Sequence, residues 1–132
     1  MCGISGYINI HGKALRDSEM ILKMLREQKH RGPDDSGIMA FSFRSGSAKE
    51  LPVNEPSVIE DGLEGILGFN RLSIMDLSMN GHQPMVSPDG KVLFAMNGEI
   101  YNAFDFKKEL KDSGYTFKST SDTEVVLYLF LK

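Results

Sequence analysis

The chain has 132 residues, a net charge of −3, 41% apolar residues and 25% charged residues. That length suits one domain, and that balance excludes wholesale disorder. The basic residues are scattered rather than clustered among aromatics, so nothing points to nucleic acid or an anionic membrane surface as a partner.

The N-terminus, Met1-Cys2-Gly3-Ile4-Ser5-Gly6, has no charged n-region and no long apolar h-region, so it does not read as a secretory signal. The longest apolar run, Val125 to Leu131, is too short to span a bilayer. Cys2 is the only cysteine. An intramolecular disulfide or a cysteine-based metal site is therefore impossible, and a cytoplasmic location is the expectation.

In chain order, Ile4 to Ile10 alternates loosely and reads as a strand. Asp17 or Ser18 can cap a helix carrying Met20, Ile21, Met24 and Leu25 at helical spacing, which must end before Gly32-Pro33. Ser36 to Phe43 reads as a second strand. Ser45 to Glu64 is polar and rich in turn residues, and it reads as a long loop with room for one short strand. Such loops are uncommon inside compact domains, which makes this one an insertion or a functional flap. Gly65 to Ile74 and Lys91 to Met96 read as strands, the latter after the Ser-Pro-Asp-Gly turn at 87–90.

Asn102 can cap a helix with Phe106 and Leu110 four apart, closed by Gly114, and Tyr115 to Lys118 reads as a short strand. Ser121-Asp122-Thr123-Glu124 is a capping-box sequence before the apolar run. The last helix is apolar nearly all round and must be buried, yet nothing after it can do so. The expectation is a chain that forms the front part of a longer protein.

An N-terminal cysteine combines two useful groups. Its thiolate is the nucleophile, and a free α-amine, with a pKa of roughly 7.7–8.0, is partly an uncharged base at neutral pH. The amine can relay the thiol proton, but only after Met1 is removed, because until then the Cys2 nitrogen is an amide. The plainer alternative is a small apolar side chain without chemistry. Asn97-Gly98 follows an apolar strand, where a side-chain amide and a glycine N–H can converge on an oxyanion, or form a hairpin turn. Arg71 stands among apolar neighbours and suits a bidentate carboxylate. Asp122 can pair with an ammonium or cap its helix, and Glu99 is another candidate anion.

The blocks Met-Cys-Gly-Ile-Ser-Gly, His30-Arg31-Gly32-Pro33-Asp34, Arg71-Leu72-Ser73-Ile74, His82-Gln83-Pro84, Asn97-Gly98-Glu99-Ile100-Tyr101-Asn102 and Ser121-Asp122-Thr123-Glu124 occur in an order that resembles the glutaminase domain of glutamine-hydrolysing asparagine synthetases. That domain is a class II glutamine amidotransferase of the N-terminal nucleophile hydrolase superfamily. The resemblance runs from Cys2 to the end of the chain. Glucosamine-6-phosphate synthase and phosphoribosyl-pyrophosphate amidotransferase types are expected to lack both the Pro-Asp after His-Arg-Gly and the Asn-Gly-Glu-Ile-Tyr-Asn block.

The resemblance implies an α+β, four-layer αββα fold with two antiparallel sheets between helices. It implies one amidotransferase domain over residues 2–132, incomplete at its C-terminal end, with a longer 45–64 stretch than the compact family pattern. It implies Cys2 as nucleophile with its freed amine as base, and Asn97 and Gly98 as the oxyanion hole. Glutamine would be bound by Arg71 at its carboxylate and by Glu99 and Asp122 at its amino group, with Leu72 and the backbone of Ile74 and Gly98 alongside. The His30 to Asp34 block would shape the pocket wall, with Arg31 no nearer the substrate than the layer behind it.

No metal is expected in this segment. ATP and magnesium are expected only in an absent synthetase domain, present in cis or as a partner chain, because no Ser-Gly-Gly-x-Asp-Ser loop occurs here. A homodimer is a further expectation. The implied activity is glutamine hydrolysis through a thioester, feeding ATP-dependent asparagine synthesis from aspartate. Its alternatives are ammonia donation to another acceptor, such as a surface sugar, an N-terminal nucleophile amidase acting on some other amide, or a non-catalytic assembly module.

Overall fold

The computed structural model describes residues 1–10 and 16–132. Its larger sheet has the order β1 (Gly3–Ile8), β4 (Gly65–Arg71), β2 (Asp35–Phe41) and β3 (Ala48–Glu50), every pairing antiparallel. A smaller antiparallel pair joins β5 (Met85–Val86) to β6 (Leu93–Phe94). Three α-helices accompany them among the described residues: α1 (Glu19–Glu27), α2 (Lys107–Asp112) and α3 (Asp122–Leu131). This is the α+β class with two antiparallel sheets.

Strand geometry sends alternate residues of β4 to opposite faces. Ile66 joins Ile38 and Ala40 beneath α1, where Ile21, Leu22 and Leu25 complete the first core. Met20, placed on that stripe by its spacing, lies at its edge and is exposed. Asn70 is fully buried on the same side. Its Nδ2 donates to Leu25 O at 2.7 Å and its Oδ1 accepts from Ser36 Oγ at 2.7 Å, which ties α1, β2 and β4 together.

The second core sits on α2 and α3. Leu110, Val125, Leu127 and Tyr128 pack there with Met85, Val92 and Phe94 from around the small sheet. Segments ahead of α3 in the chain thus bury much of it, while Phe130 stays exposed. Tyr115 stacks on Tyr128 at 4.9 Å between centroids, and Phe117 meets its edge at 5.0 Å. Burial first, then the Glu124 charge, push the Tyr128 hydroxyl up to about 12. The two sheets face each other across an apolar groove of about 680 Å³ bordered by Ile8, Phe41, Leu67, Leu93 and Phe130. The layers run helix, sheet, sheet, helix.

Several boundaries differ from the periodicity reading. Strand β1 stops at Ile8 and β4 at Arg71, so Leu72 to Ile74 leave the sheet. Strand β6 is two residues long, and Tyr115 to Lys118 form no strand. These residues instead cover Tyr128, so their apolar character serves packing rather than a ladder. A 3-10 turn, Ala103–Phe106, precedes α2, and Asn102 gives it no side-chain cap.

At α1 the N-cap position is Ser18, which makes no side-chain cap because its Oγ accepts from Ser57 N at 2.9 Å; Asp17 Oδ1 instead accepts from Glu19 N at 3.0 Å. The capping box at α3 forms by half. Ser121 Oγ accepts from Thr123 N at 3.1 Å, but Glu124 turns to Lys118 N and Ser119 N.

The 45–64 segment is not a bare loop. It contributes β3, and its Leu51, Ile59 and Leu63 are buried in the first core. Ile21 lies at the centre of that core with no exposed surface. Ile21→Ala should therefore lower unfolding free energy by about 2–5 kcal/mol, measured by urea denaturation.

Candidate active site at the end of β4

Strand β4 ends on Arg71 between the start of β1 and the start of β2, with Gly3 opposite Asn70 and Asp35 opposite Arg71. This brings Cys2 beside Leu72. The Leu72 N–H donates to Cys2 Sγ at 3.3 Å, and the thiol in turn lies 3.8 Å from Leu72 O. Arg31 Nε donates to Cys2 O at 3.1 Å, and Asp34 Oδ2 accepts from Ser73 N at 2.7 Å. The His-Arg-Gly-Pro-Asp block thus holds the backbone on either side of the sulfur.

Arg71 is 6% exposed. Its Nη1 donates to Ser78 O at 2.9 Å and its Nη2 to Asp76 O. No carboxylate among the described residues forms an ion pair with it. A buried cation held only by neutral carbonyls keeps its attraction for an anion. Gly81 permits this placement, since a Cβ there would come 2.1 Å from Nη2.

The loop that encloses Arg71 is locked by Asp76. Its Oδ1 accepts from Ser78 Oγ at 2.6 Å and Ser78 N at 2.8 Å, and its Oδ2 accepts from Thr120 N at 2.7 Å. The Ser78 hydroxyl, then the Thr120 N–H, hold the Asp76 carboxyl well below the usual carboxylate range despite its burial.

A cleft of about 380 Å³ opens here, and its lining includes Cys2, Arg71, Leu72, Ile74, Asn97, Gly98, Glu99 and Asp122. Every residue given a catalytic or glutamine-binding role from the sequence therefore borders one cavity, whereas none of His30 to Asp34, expected to shape the pocket wall, is part of its lining. Asn97, Gly98 and Glu99 are exposed on its wall. Neither Asn97 nor Gly98 has a positive φ, so they do not form the type I′ turn that an Asn-Gly hairpin requires. The hairpin alternative is set aside. Asp122 is buried, and its Oδ2 accepts from Ile100 N at 2.8 Å, so the side chain spans to the neighbouring segment rather than capping α3.

Asp76, Gln83, Tyr101 and Thr123 also line the cleft, without a role assigned from sequence. Asp76 had a readable signal, since Asp76-Leu77-Ser78 is an Asx-turn pattern. The contacts of Gln83 and Thr123 join segments 40 residues apart, and no local pattern reveals them. Met1 borders the cleft and is 77% exposed.

A family model for the glutamine amidotransferase domain matches residues 54–132. Asparagine synthetase [glutamine-hydrolyzing] 1 of Bacillus subtilis is 37% identical over 129 residues, covering 96% of this chain and 17% of its own. A putative asparagine synthetase [glutamine-hydrolyzing] 2 of Methanocaldococcus jannaschii is 34% identical over the whole chain and 24% of its own length. Asparagine synthetase B [glutamine-hydrolyzing] of Escherichia coli is 34% identical over 98% of this chain and 19% of its own.

A cleft bordered by a cysteine and by a guanidinium without an ion-pair partner among the described residues thus occurs in a chain that belongs to the glutamine amidotransferase domain family. Within that family it is similar, along nearly its full length, to the glutamine-hydrolysing asparagine synthetases. The chain spans roughly a fifth of the length of these relatives.

Asp76→Asn should destabilise the protein by about 1–3 kcal/mol at pH 7, because Asn cannot accept from both partners. The folded-state carboxyl is depressed, so its stabilisation is full above the unfolded value of about 3.9 and is lost as pH falls through the folded value. The gap between parent and variant should shrink on acidification below about pH 4, followed by denaturant titration at several pH values.

Proposed function

We propose that this chain is an ammonia-producing glutaminase domain spanning residues 2–132. The observation that carries the reading is Arg71: a buried guanidinium, without a carboxylate partner, facing the cleft that Cys2 also borders. A free amino acid supplies the missing carboxylate. Asp122 and Glu99 provide negative charge on the same cleft for its ammonium group. Asp122 spends Oδ2 on Ile100 N, which leaves Oδ1 for a ligand. Leu72 and Ile74 flank the bound molecule.

With Met1 removed, the Cys2 amine takes the thiol proton and Sγ attacks the side-chain amide carbon of glutamine. Asn97 and the Gly98 N–H hold the oxyanion. The C–N bond breaks, the relayed proton leaves with ammonia, and a thioester remains. Water then attacks the thioester, releasing glutamate and restoring the thiol. The relatives' names support an onward use of ammonia in asparagine synthesis, through a synthetase domain joined in cis.

ATP and magnesium belong to that domain. Among the described residues no group of three or more His, Cys, Asp or Glu is placed to hold a metal ion, and no step here runs through ATP or magnesium. No helix among the described residues is long and apolar enough to cross a membrane. A cytoplasmic location suits a catalytic thiol that must stay reduced.

Full-length protein should release glutamate from glutamine, and Cys2→Ala should abolish this with the fold intact. Full activity in Cys2→Ala would sink the mechanism. Mass spectrometry should find the mature chain beginning at Cys2. Arg71→Lys keeps the charge but loses the fork, and should raise the glutamine KM about tenfold. An unchanged KM would remove the carboxylate role.

A further inference from the structure

Gln83 is 5% exposed and lies on the cleft wall. A buried amide must find partners for both its ends. Its Oε1 accepts from Met96 N at 2.8 Å, and its Nε2 donates to Thr123 Oγ1 at 3.2 Å. The Met96 N–H can only donate, which fixes the orientation of the amide. Met96 immediately precedes the Asn97-Gly98 pair, and Thr123 immediately follows Asp122. One planar group therefore joins the segment carrying the oxyanion donors to the helix turn carrying the ammonium acceptor.

Gln83 is itself keyed to the larger sheet. A Cβ on Gly37 would stand 2.1 Å from Gln83 O and 2.5 Å from His82 Nε2, so the 82–83 backbone lies directly on β2. His82 Nδ1 lies 2.7 Å from Asp35 Oδ2 on the same strand. Asp35 and Gly37 pair with Arg71 and Phe69 of β4. The sheet that places Arg71 and Cys2 thus also places the amide that ties the opposite wall together.

We propose that Gln83 is a positioning residue for glutamine hydrolysis, setting the spacing of Asn97-Gly98 and Asp122 relative to Arg71 and Cys2. The inference rests on the glutaminase reading above. Its two arms act on different parameters. The Met96 arm aligns donors used in the transition state and so bears on kcat; the Thr123 arm aligns a group that binds the ground state and so bears on KM.

The test uses full-length protein, with glutamate release measured against glutamine concentration. Gln83→Met keeps the volume and removes both hydrogen bonds. It should lower kcat about tenfold or more and raise KM several-fold, with circular dichroism unchanged. Thr123→Val should raise KM about threefold or more with kcat within about twofold, and Thr123→Ser, which keeps the hydroxyl, should restore the parental KM.

Parental kcat and KM in a folded Gln83→Met would overturn the inference, and so would a Thr123→Ser no better than Thr123→Val. If Gln83→Met does not fold, the Thr123 pair decides. Should the parent itself release no glutamate, the glutaminase reading fails and this inference falls with it. An active parent with indifferent variants removes this inference alone.

Discussion

The guanidinium of Arg71 enters the interior at the end of β4 and is met there by the carbonyls of Asp76 and Ser78 rather than by a carboxylate. Those carbonyls satisfy part of its hydrogen-bonding capacity and none of its charge. The chain must turn sharply after β4 to supply them, which lifts Leu72 to Ile74 out of the sheet. That turn aims the Leu72 N–H at Cys2 Sγ. Burial of one cation therefore shapes the loop, the sulfur's surroundings and the charged end of the cleft.

The cleft lies at the seam of two separately packed cores. Cys2 and Arg71 belong to the sheet that packs under α1, whereas Asn97 to Glu99 and Asp122 belong to the half built on α2 and α3. A molecule held across the cleft would touch both halves. Hydrogen bonds that hold the halves in register include Asp76 to Thr120 N, and Gln83 to Met96 N and Thr123. The Asp76 bond is charge-assisted and largely shielded from water, so it is less screened than a surface pair. The ion pairs Lys23–Glu19 and Lys108–Asp112 stand out in solvent and add little.

Much of the fold was legible where periodicity and burial agree. The apolar spacing of Ile21 and Leu25 marked α1, and the run from Val125 marked α3. Legibility failed where a residue's partner lies far along the chain. Tyr115 and Phe117 looked like a strand because they are apolar and alternate, but their partner is Tyr128 rather than a neighbouring strand. The 45–64 stretch looked like a loop because its three core residues are spaced too widely to show a period.

By itself the sequence determined which chemical groups are present and in what order: a lone cysteine at position 2, one arginine in an apolar run, an Asn-Gly pair and an acidic helix start. Those local features suffice to assign the family, because motif order is a property of the chain alone. Only the tertiary structure decided that they border one cleft, that Arg71 lacks an ionic partner, and that Asp122 reaches Ile100 instead of capping its own helix. Hydrogen bonds between segments dozens of residues apart leave no trace in local spacing; they exist only once both cores have formed.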